Sequence, residues 1–331
     1  MKTRLLPTET PEQLAAAVAA AVAELGAGNP VALPTETVYG LAADATSPAA
    51  LVKIFEAKER PLFDPLIVHL PDAGWLEKVA TLPPEDAAWI TRLADAFWPG
   101  PLTMVLPRTA LVPDLATSGL PTVAVRRSAH PVFSAIVAAF GKPLAAPSAN
   151  RFGRVSPTCA EHVMGELSGR IPLVIDGGPT RHGVESTIIA PRGGKLEILR
   201  KGPVTREMLE EWGEIVAPGA VAQPVAPGQL ASHYAPGTPL RLLSKGATPG
   251  DARGGASGLL AWRSPEPETA ACFGSVEVLS PAGDLREAAS RLFAAMRRLD
   301  AAGLEEIVAE PVAEEGLGAA IMDRLRRASH R

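Results

Sequence analysis

Residues 29–40 read NPVALPTETVYG, and this stretch decides the fold. Its first half, residues 30–33, is a short apolar run next to prolines, a pattern typical of a buried strand. Its second half follows that strand directly and supplies hydroxyls and one carboxylate before Gly40. Loops in this position hold small ligands in many α/β proteins. A turn whose threonine hydroxyls satisfy the backbone explains the same residues, so the stretch alone leaves both interpretations open.

Two helices flank this predicted strand, and each begins with a capping pattern. The first starts at residues 10–13, TPEQ, where the threonine caps, the proline suits the first turn and the glutamine completes a capping box. We expect it to stop near Gly26. The second starts at Ser47-Pro48, and Pro61 ends it.

Strand and helix patterns alternate through most of the chain without a strict βαβ rhythm. In the first two thirds of the chain, strands are predicted at residues 30–33, 65–70, 102–106, 122–125, 173–175, 187–189 and 196–199. We therefore predict an α/β fold with a twisted mixed sheet for residues 1–215. Residues 216–238 are rich in proline, glycine and alanine and predict an extended linker that also serves as a lid. Residues 239–331 alternate again, which predicts a second, smaller α/β domain of the Rossmann-like type. Its predicted strands are residues 240–243, 258–262, 276–279 and 306–309, and its predicted helices are residues 284–299 and 312–327.

Composition and charge restrict the class of protein. The chain has 331 residues, 47% of them apolar, and a formal net charge of −4, which argues against a protein whose main ligand is nucleic acid. Cys159 and Cys272 form no Cys-x-x-Cys pair and have no suitably spaced histidines, so we predict free thiols and no protein-bound metal. The most apolar N-terminal run, Leu14–Ala23, is too short to cross a bilayer. We expect a cytoplasmic protein that does not associate with membranes.

The common nucleotide-binding and hydrolase motifs are absent from the sequence. Gly141-Lys142 lacks the upstream glycine of a P-loop and is followed by Pro143. There is no G-x-G-x-x-G after a strand, no H-E-x-x-H and no G-x-S-x-G. Any nucleotide chemistry must therefore use a less common phosphate site.

Charged side chains gather around the predicted helix end before Pro61. Lys58 and Arg60 are ordinary partners for the negative end of a helix dipole. Here, however, the chain continues past Asp64 into a predicted strand that ends in His69. We expect the two cations, the carboxylate and the imidazole to converge on one strand edge, although a histidine at a strand end is more often structural than catalytic.

Polar groups recur at the ends of later predicted strands. Arg126 ends the run TVAVR, and its guanidinium suits a bidentate contact with a carboxylate or phosphate. The loop at residues 146–150, APSAN, with Ser156 beyond it, could bind an anion without a P-loop, or it could be an ordinary turn and cap. Residues 183–187 and 199–202 complete the set. Each segment is a weak signal alone, and their recurrence within one sheet favours a shared site.

Taken together, these segments resemble the L-threonylcarbamoyladenylate synthase family, whose catalytic part is a YrdC-like domain. The matching stretches cover most of residues 5–215 in the order of the family: PTETVYGL, KERPLFDPLIVH, FWPGPLTMVL, TVAVR, APSANRFGRVSPT, VESTII and LRKGP. Several separate motifs in register make the resemblance specific. Residues 232–236, SHYAP, followed by another domain, resemble the longer, two-domain branch of the family.

The resemblance implies two adjoining pockets. The residues implied for L-threonine are Thr35, His69, Arg126 and Ser186, with the backbone at Ala146. The residues implied for ATP are Arg60, Asp64, Thr122, Ser148, Ser156, Arg200 and, from the linker, Tyr234. Lys58 and Arg60 would be the catalytic cations. The family often has asparagine at the position of Asp64, so this chain replaces a donor by a negative charge beside the phosphates.

The implied reaction joins L-threonine, bicarbonate or CO2, and ATP with Mg2+ into threonylcarbamoyl-AMP and pyrophosphate. The threonine amine first forms a carbamate, whose oxygen then attacks the α-phosphorus, so the site needs fixed cations more than a nucleophile. His69 is a weak candidate for a general base. The resemblance also implies a separate tRNA threonylcarbamoyl transferase downstream, and direct contact with tRNA stays open. Because the mixed anhydride is prone to hydrolysis, we predict that residues 232–236 close over the nucleotide.

Three other interpretations remain at this stage. The chain could be an RNA-binding module with a basic surface formed by Arg126, Arg127, Arg151, Arg154, Arg181, Arg192 and Arg200. It could be related to the hydrogenase-maturation carbamoyltransferases, although two isolated cysteines cannot form the zinc motifs that those proteins carry. It could also be a nucleotide-binding regulator whose second domain recruits another protein.

Overall fold

The computed structural model describes residues 1–217, 228, 233–244, 246–247 and 254–330. The chain divides into two compact units. The larger unit comprises Met1–Phe152, Pro157–Arg181 and Glu185–Gln229, and the smaller unit comprises Gly153–Ser156, His182–Val184 and Leu230–Arg331. Much of the predicted linker, including Ser232 of the predicted lid, lies outside the described residues. The predicted domain boundaries therefore stay a prediction.

The larger unit is built on one mixed sheet, as the sequence predicts. Its strands are β1 (Arg4–Pro7), β2 (Val31–Leu33), β3 (Gly40–Asp44), β4 (Ile67–His69), β5 (Leu102–Pro107), β6 (Thr122–Arg126), β7 (Leu144–Ala145), β8 (Leu173–Asp176), β9 (Thr187–Arg192), β10 (Lys195–Arg200) and β11 (Glu214–Val216). Their order in the sheet is β1-β8-β2-β3-β7-β4-β6-β5-β9-β10-β11. Neighbours such as β4 and β6 run parallel, whereas β5 and β6 run antiparallel.

Helices pack against this sheet. They are α1 (Pro11–Gly26), α2 (Pro48–Lys58), α3 (Leu76–Val79), α4 (Ala87–Phe97), α5 (Asp114–Thr117), α6 (Pro131–Phe140), α7 (Ala160–Leu167) and α8 (Arg206–Glu210). Both predicted helix starts are confirmed. The Thr10 hydroxyl accepts a hydrogen bond from Gln13 N at 3.2 Å, and Gln13 Oε1 accepts one from Thr10 N at 3.1 Å. Ser47 caps α2, which ends where Glu59 adopts φ 53°, before Pro61.

Strand β2 shows why a continuous apolar run belongs here. Val31 and Leu33 pack in one hydrophobic cluster with α1 and α6, whereas Ala32 packs in a second cluster with α2 and α4. Successive side chains of a strand point to opposite faces, so a strand with helices on both faces must be apolar at every position. The polar residues begin after β2, where the chain is no longer covered by helices on both faces of the sheet.

The sequence did not predict four strands of the larger unit: β1, β3, β7 and β11. Strand β3 reads GLAAD, and its small residues have little intrinsic preference for strands. It is a strand because it pairs with β2 on one side and β7 on the other. Strand β7 is only two residues long, too short for a periodic pattern to be visible. Tertiary pairing therefore decides these elements.

The smaller unit contains a parallel sheet with strand order β12-β15-β13-β14. Its elements are β12 (Leu240–Leu242), β13 (Ser257–Ala261), α9 (Pro267–Ala270), β14 (Ser275–Val278), α10 (Leu285–Asp300), β15 (Glu306–Ala309) and α11 (Gly318–Ser329). The four predicted strands and the predicted small α/β fold are confirmed. Helix α11 begins six residues later than the predicted start at Val312, because Gly316 adopts φ 50° and redirects the chain.

None of the helices in the part of the chain that the structure describes is long and apolar enough to cross a membrane.

Candidate active site

Strands β4 and β6 bring two of the predicted residues side by side. The strands run parallel, and their register pairs His69 with Arg126 at the carboxyl ends. Both side chains are buried, at 2% and 3% exposure. Because side chains in register on neighbouring parallel strands lie on the same face, the imidazole and the guanidinium share one environment. The predicted proximity of these two residues is therefore present in the fold.

The Arg126 guanidinium is held from three directions. Its Nε donates to Gly100 O at 3.1 Å, and its Nη1 donates to Thr37 Oγ1 at 3.0 Å. Its Nη2 lies 2.7 Å from Glu36 Oε1 in a buried ion pair. A fixed guanidinium loses little conformational freedom on binding a carboxylate. Arg126 is thus a preorganised cation.

Glu36 is a residue of this site that the sequence analysis missed. Its carboxylate also accepts hydrogen bonds from the Ser128 hydroxyl and from Ala129 N, the latter at 3.1 Å. Burial opposes ionisation of this carboxyl, but Arg126 and these hydrogen bonds outweigh it and lower its pKa from 4.5 to about 2. The available signal was a single carboxylate between two threonines directly after a strand predicted to be buried.

His69 is a neutral imidazole at ordinary pH. Burial, together with the charge of Arg126, lowers its pKa from 6.5 to about 3. Its ring packs against Phe133 with a centroid separation of 4.7 Å. An imidazole with so low a pKa is a weak base. The environment of His69 therefore argues against its suggested role as a general base. Contact between His69 and threonine stays a prediction.

Thr35 organises the turn after β2. Its hydroxyl donates to Val38 O at 2.6 Å, accepts from Thr37 N at 3.1 Å and lies 2.9 Å from Thr37 Oγ1. The interpretation of this stretch as a turn stabilised by hydroxyls is therefore confirmed. The same turn carries Glu36 and Thr37 to Arg126, so local structure and the site depend on one hydroxyl.

Lys58 ties the end of α2 to the loop after β7. Its ammonium donates to Ser148 O at 2.5 Å and to Asn150 O. The side chain is buried, and this burial, together with the charge of Arg60, lowers its pKa well below 10.5. Its immediate structural role is to hold the predicted anion-binding loop, and contact with phosphates stays a prediction.

Arg60 and Asp64 form a buried ion pair with 2.8 Å between Nη2 and Oδ2. Arg60 also donates to Pro65 O at 2.9 Å and to Asp64 O at 3.2 Å. Burial raises the pKa of Asp64, against the opposing charges of Arg60, Lys58 and Arg200. The acidic residue that replaces the usual asparagine therefore has a fixed cationic partner.

The expected convergence of these groups with His69 on one strand edge stays a prediction. Arg60 and Asp64 lie before the amino end of β4, whereas His69 is its last residue. Thr122 is the first residue of β6 and Arg126 is the last. With a rise of about 3.3 Å per residue, the two lie about 13 Å apart along the strand. The predicted residues of the larger unit thus extend along the strands.

Ser186 and Arg200 connect the two predicted subsites. Arg200 Nε donates to Ser186 O at 3.0 Å, and its Nη2 donates to Ser186 Oγ at 2.9 Å. The same hydroxyl lies 2.8 Å from Thr103 Oγ1. Ser186 was predicted for threonine and Arg200 for ATP, so a residue of each set is in direct contact.

Three further predicted residues have mixed outcomes. Ala146 N donates to Ile67 O at 2.9 Å, so this amide is already used within the protein. Ser156 and Tyr234 belong to the smaller unit. The backbone of Tyr234 adopts φ 62°, and the centroid of its ring lies 5.7 Å from the centroid of the Phe293 ring. Their predicted contacts with ATP, and the lid, stay predictions.

The predicted RNA-binding surface loses two of its members. Arg126 and Arg200 are 3% and 7% exposed, respectively, and both donate hydrogen bonds inside the larger unit. Arginines that neutralise phosphates of a nucleic acid must be accessible at the surface. The fold therefore assigns these two cations to the interior site.

Comparison with known proteins identifies relatives along nearly the whole chain. The profile of the Sua5/YciO/YrdC family, described as telomere recombination, matches residues 23–202. The profile of the threonylcarbamoyl-AMP synthase C-terminal domain matches residues 204–330. The threonylcarbamoyl-AMP synthase of Pyrococcus abyssi is 42% identical over 314 residues, which cover 91% of each chain. That of Bacillus subtilis is 37% identical over 335 residues, which cover 94% of this chain and 92% of the relative.

A solved structure gives the same result in three dimensions. The crystal structure of P. abyssi Sua5 complexed with L-threonine has a TM-score of 0.86 and 38% sequence identity, and the match covers 99% of this chain and 98% of that one.

Proposed function

Because this chain belongs to the Sua5/YciO/YrdC family with a threonylcarbamoyl-AMP synthase C-terminal domain, we propose that it is an L-threonylcarbamoyladenylate synthase. It would join L-threonine, bicarbonate and ATP into threonylcarbamoyl-AMP and release pyrophosphate, an adenylyl transfer that makes it a nucleotidyltransferase. The product would serve the threonylcarbamoyladenosine modification of tRNA. The curated relatives of similar length support this assignment.

The observation that carries the mechanism is the contact between Ser186 and Arg200. A carbamate on threonine can attack the α-phosphorus of ATP only if the two substrates are bound within reach of each other. The 2.9 Å hydrogen bond between a residue assigned to threonine and a residue assigned to ATP supports such adjoining subsites.

Threonine recognition would depend on the preorganised Arg126. Its guanidinium would bind the amino-acid carboxylate while Glu36, Thr37 and Gly100 keep it in place. Neutral His69 beside it adds no second positive charge. The threonine carboxylate would therefore be fixed, and the amine would be free to form the carbamate.

The chemical step needs charge stabilisation. A carbamate oxygen forms a bond to the α-phosphorus, the bond from that phosphorus to the bridging oxygen breaks, and the electron pair leaves with pyrophosphate. Arg60 and Arg200 would offset the charge that develops on the phosphates. Lys58 would hold the Ser148 loop against the nucleotide.

Magnesium would enter with the triphosphate. Three residues of the proposed nucleotide site, Lys58, Arg60 and Arg200, are cations, and the nearby carboxylate of Asp64 is paired with Arg60. We therefore assign the ion to phosphate oxygens and water, which suits the coordination that Mg2+ prefers. When bound, it would further neutralise the phosphates.

The labile product suggests how the reaction continues. A mixed anhydride survives briefly in water, so a separate tRNA threonylcarbamoyl transferase would have to consume it promptly. The proposed lid at residues 232–236 would protect it until release, in a cytoplasmic protein. Truncation after residue 215 should then sharply reduce synthesis, and full activity of that fragment would exclude the lid.

Mass spectrometry of reactions with L-threonine, bicarbonate and Mg-ATP tests the proposed activity directly. We expect the threonylcarbamoyl adenylate and threonine-dependent pyrophosphate release. Replacement of bicarbonate and threonine by carbamoyl phosphate should stop turnover. ATP binding without turnover would instead favour a nucleotide-binding regulator, and salt-sensitive tRNA binding without threonine-dependent turnover would favour an RNA-binding module.

Arginine variants test the proposed division of the site. Arg126→Lys should raise the KM for threonine by at least about 10-fold, because the bidentate contact to the carboxylate is lost. Arg60→Ala should instead weaken the use of ATP. Arg192→Ala removes an exposed arginine and serves as the matched control. If Arg126→Lys and Arg60→Ala both behave like the control, the proposed site is wrong.

A further inference from the structure

The smaller unit has a cavity of about 760 Å³ at the carboxyl edge of its parallel sheet. Residues within three positions of the ends of three strands line it: Ser244 after β12, Trp262 after β13 and Val312 after β15. Helix α11 closes it with Met322 and Arg326. The volume lies within the range of about 300–1,000 Å³ that is usual for small-molecule sites.

The position in the sheet is one that parallel α/β folds use for ligands. Strands β13 and β15 are neighbours, and the chain leaves them in opposite directions. After β13 it continues to β14 on one side, and after β15 it continues into α11, which packs on β12 on the other side. The crevice between two such connections is the topological switch point, where ligands bind.

Two residues of the cavity wall carry hydrogen-bond donors that the protein uses poorly. The indole nitrogen of Trp262 is buried and has no acceptor among the described residues. The backbone N–H of Val312 is directed to the thioether sulfur of Met322 at 3.3 Å, a weak acceptor. A buried donor without a good acceptor carries a desolvation cost in the folded state. A ligand with acceptor atoms would relieve this cost.

Charge at the cavity limits the class of ligand. Arg326 forms a two-point contact with Glu314, with 3.0 Å between Nη1 and Oε2. Both residues line the cavity, so their charges cancel there. A phosphate would meet the carboxylate of Glu314 without an uncompensated cation among the described lining residues. The remaining wall is largely apolar, with leucine, proline, valine and methionine side chains.

We propose that this cavity binds an uncharged, flat heteroaromatic ligand with acceptor nitrogens, of the size of a purine nucleoside. The aromatic and apolar walls suit a planar ring, and the N–H groups of Trp262 and Val312 suit ring nitrogens that accept hydrogen bonds. The residues that line this cavity include none of those assigned to the proposed ATP site, so this inference goes beyond the proposed function.

Fluorine NMR can locate the ligand without interference from the proposed ATP site. The full chain, labelled with 5-fluorotryptophan, should give five resonances for its five tryptophans, and the one lost in Trp262→Phe belongs to the cavity. Adenosine is the probe. We expect a saturable shift of the Trp262 resonance, and an unmoved resonance at millimolar adenosine would overturn the proposal.

Matched variants decide whether the shift reports occupancy. Ser244→Phe places a large side chain at the exposed cavity wall and should weaken the adenosine response at least 10-fold. Ser264→Phe makes the same change at an exposed serine that is not part of the wall and should respond like the parent. An equal response in both variants would overturn the site. AMP should bind more weakly than adenosine, and tighter AMP binding would overturn the uncharged class.

Discussion

Replacement of Glu36 by glutamine should destabilise the larger unit by about 3 kcal/mol at pH 7. The substitution keeps the shape of the side chain but removes the charge that faces Arg126 at 2.7 Å. The folded-state pKa of about 2, against 4.5 for the free group, corresponds to about 3 kcal/mol of interaction with the ionised carboxyl. Loss of one partner of a buried ion pair costs about 3–5 kcal/mol in other proteins, so the two magnitudes agree.

The effect of this substitution should depend on pH in a defined way. Because the pKa of Glu36 is lowered on folding, its stabilisation is complete above about pH 4.5 and is lost as the pH falls through the folded-state value near 2. The difference between parent and Glu36→Gln should therefore shrink from about 3 kcal/mol at pH 7 to about 1 kcal/mol at pH 3.

Urea unfolding followed by tryptophan fluorescence provides the assay. A Trp262→Phe background leaves Trp75, Trp89, Trp98 and Trp212, all in the larger unit, as reporters. Glu214→Gln is the matched control, since its ion pair with Lys195 is exposed and should contribute about 0–1 kcal/mol. A Glu36→Gln effect no larger than that of the control, or a difference that does not change with pH, would refute the argument.

Three further predictions concern other parts of the larger unit. The His69 imidazole should remain neutral down to about pH 3 in the folded protein. In the unfolded state it takes up a proton near pH 6.5, so the stability of the folded state should fall as the pH decreases below 6.5. Titration of His69 near pH 6.5, measured by NMR on the folded protein, would contradict its burial. Gly202→Ala should destabilise by about 1–3 kcal/mol, because its Cβ would lie 2.5 Å from Thr187 N; thermal unfolding checks this, and a neutral result would mean that β9 can move. Thr10→Ala should cost about 1 kcal/mol in urea unfolding by removing the capping box of α1, whereas Thr10→Asp, which keeps a capping side chain, should cost much less.

Local sequence patterns predicted the positions of some residues of the site. Arg126 and His69 were each placed correctly at the end of a strand, because strand ends follow from where an apolar run stops. The resemblance to a family supplied the roles of these residues, which spacing alone did not. Glu36 was missed because a carboxylate in a loop reads as solvated until its buried partners are known.

The sequence by itself determined the capped helices, the buried strand at residues 30–33 and the small α/β domain, because these depend on periodicity and on neighbours along the chain. Only the tertiary structure decided strands β3 and β7, which exist through pairing, and the spread of the predicted residues along β4 and β6. It also decided the partners of Lys58 and Arg126, since ammonium and guanidinium groups must find acceptors once they leave water. Those acceptors come from segments about 90 residues away in the chain, a separation that no local pattern records.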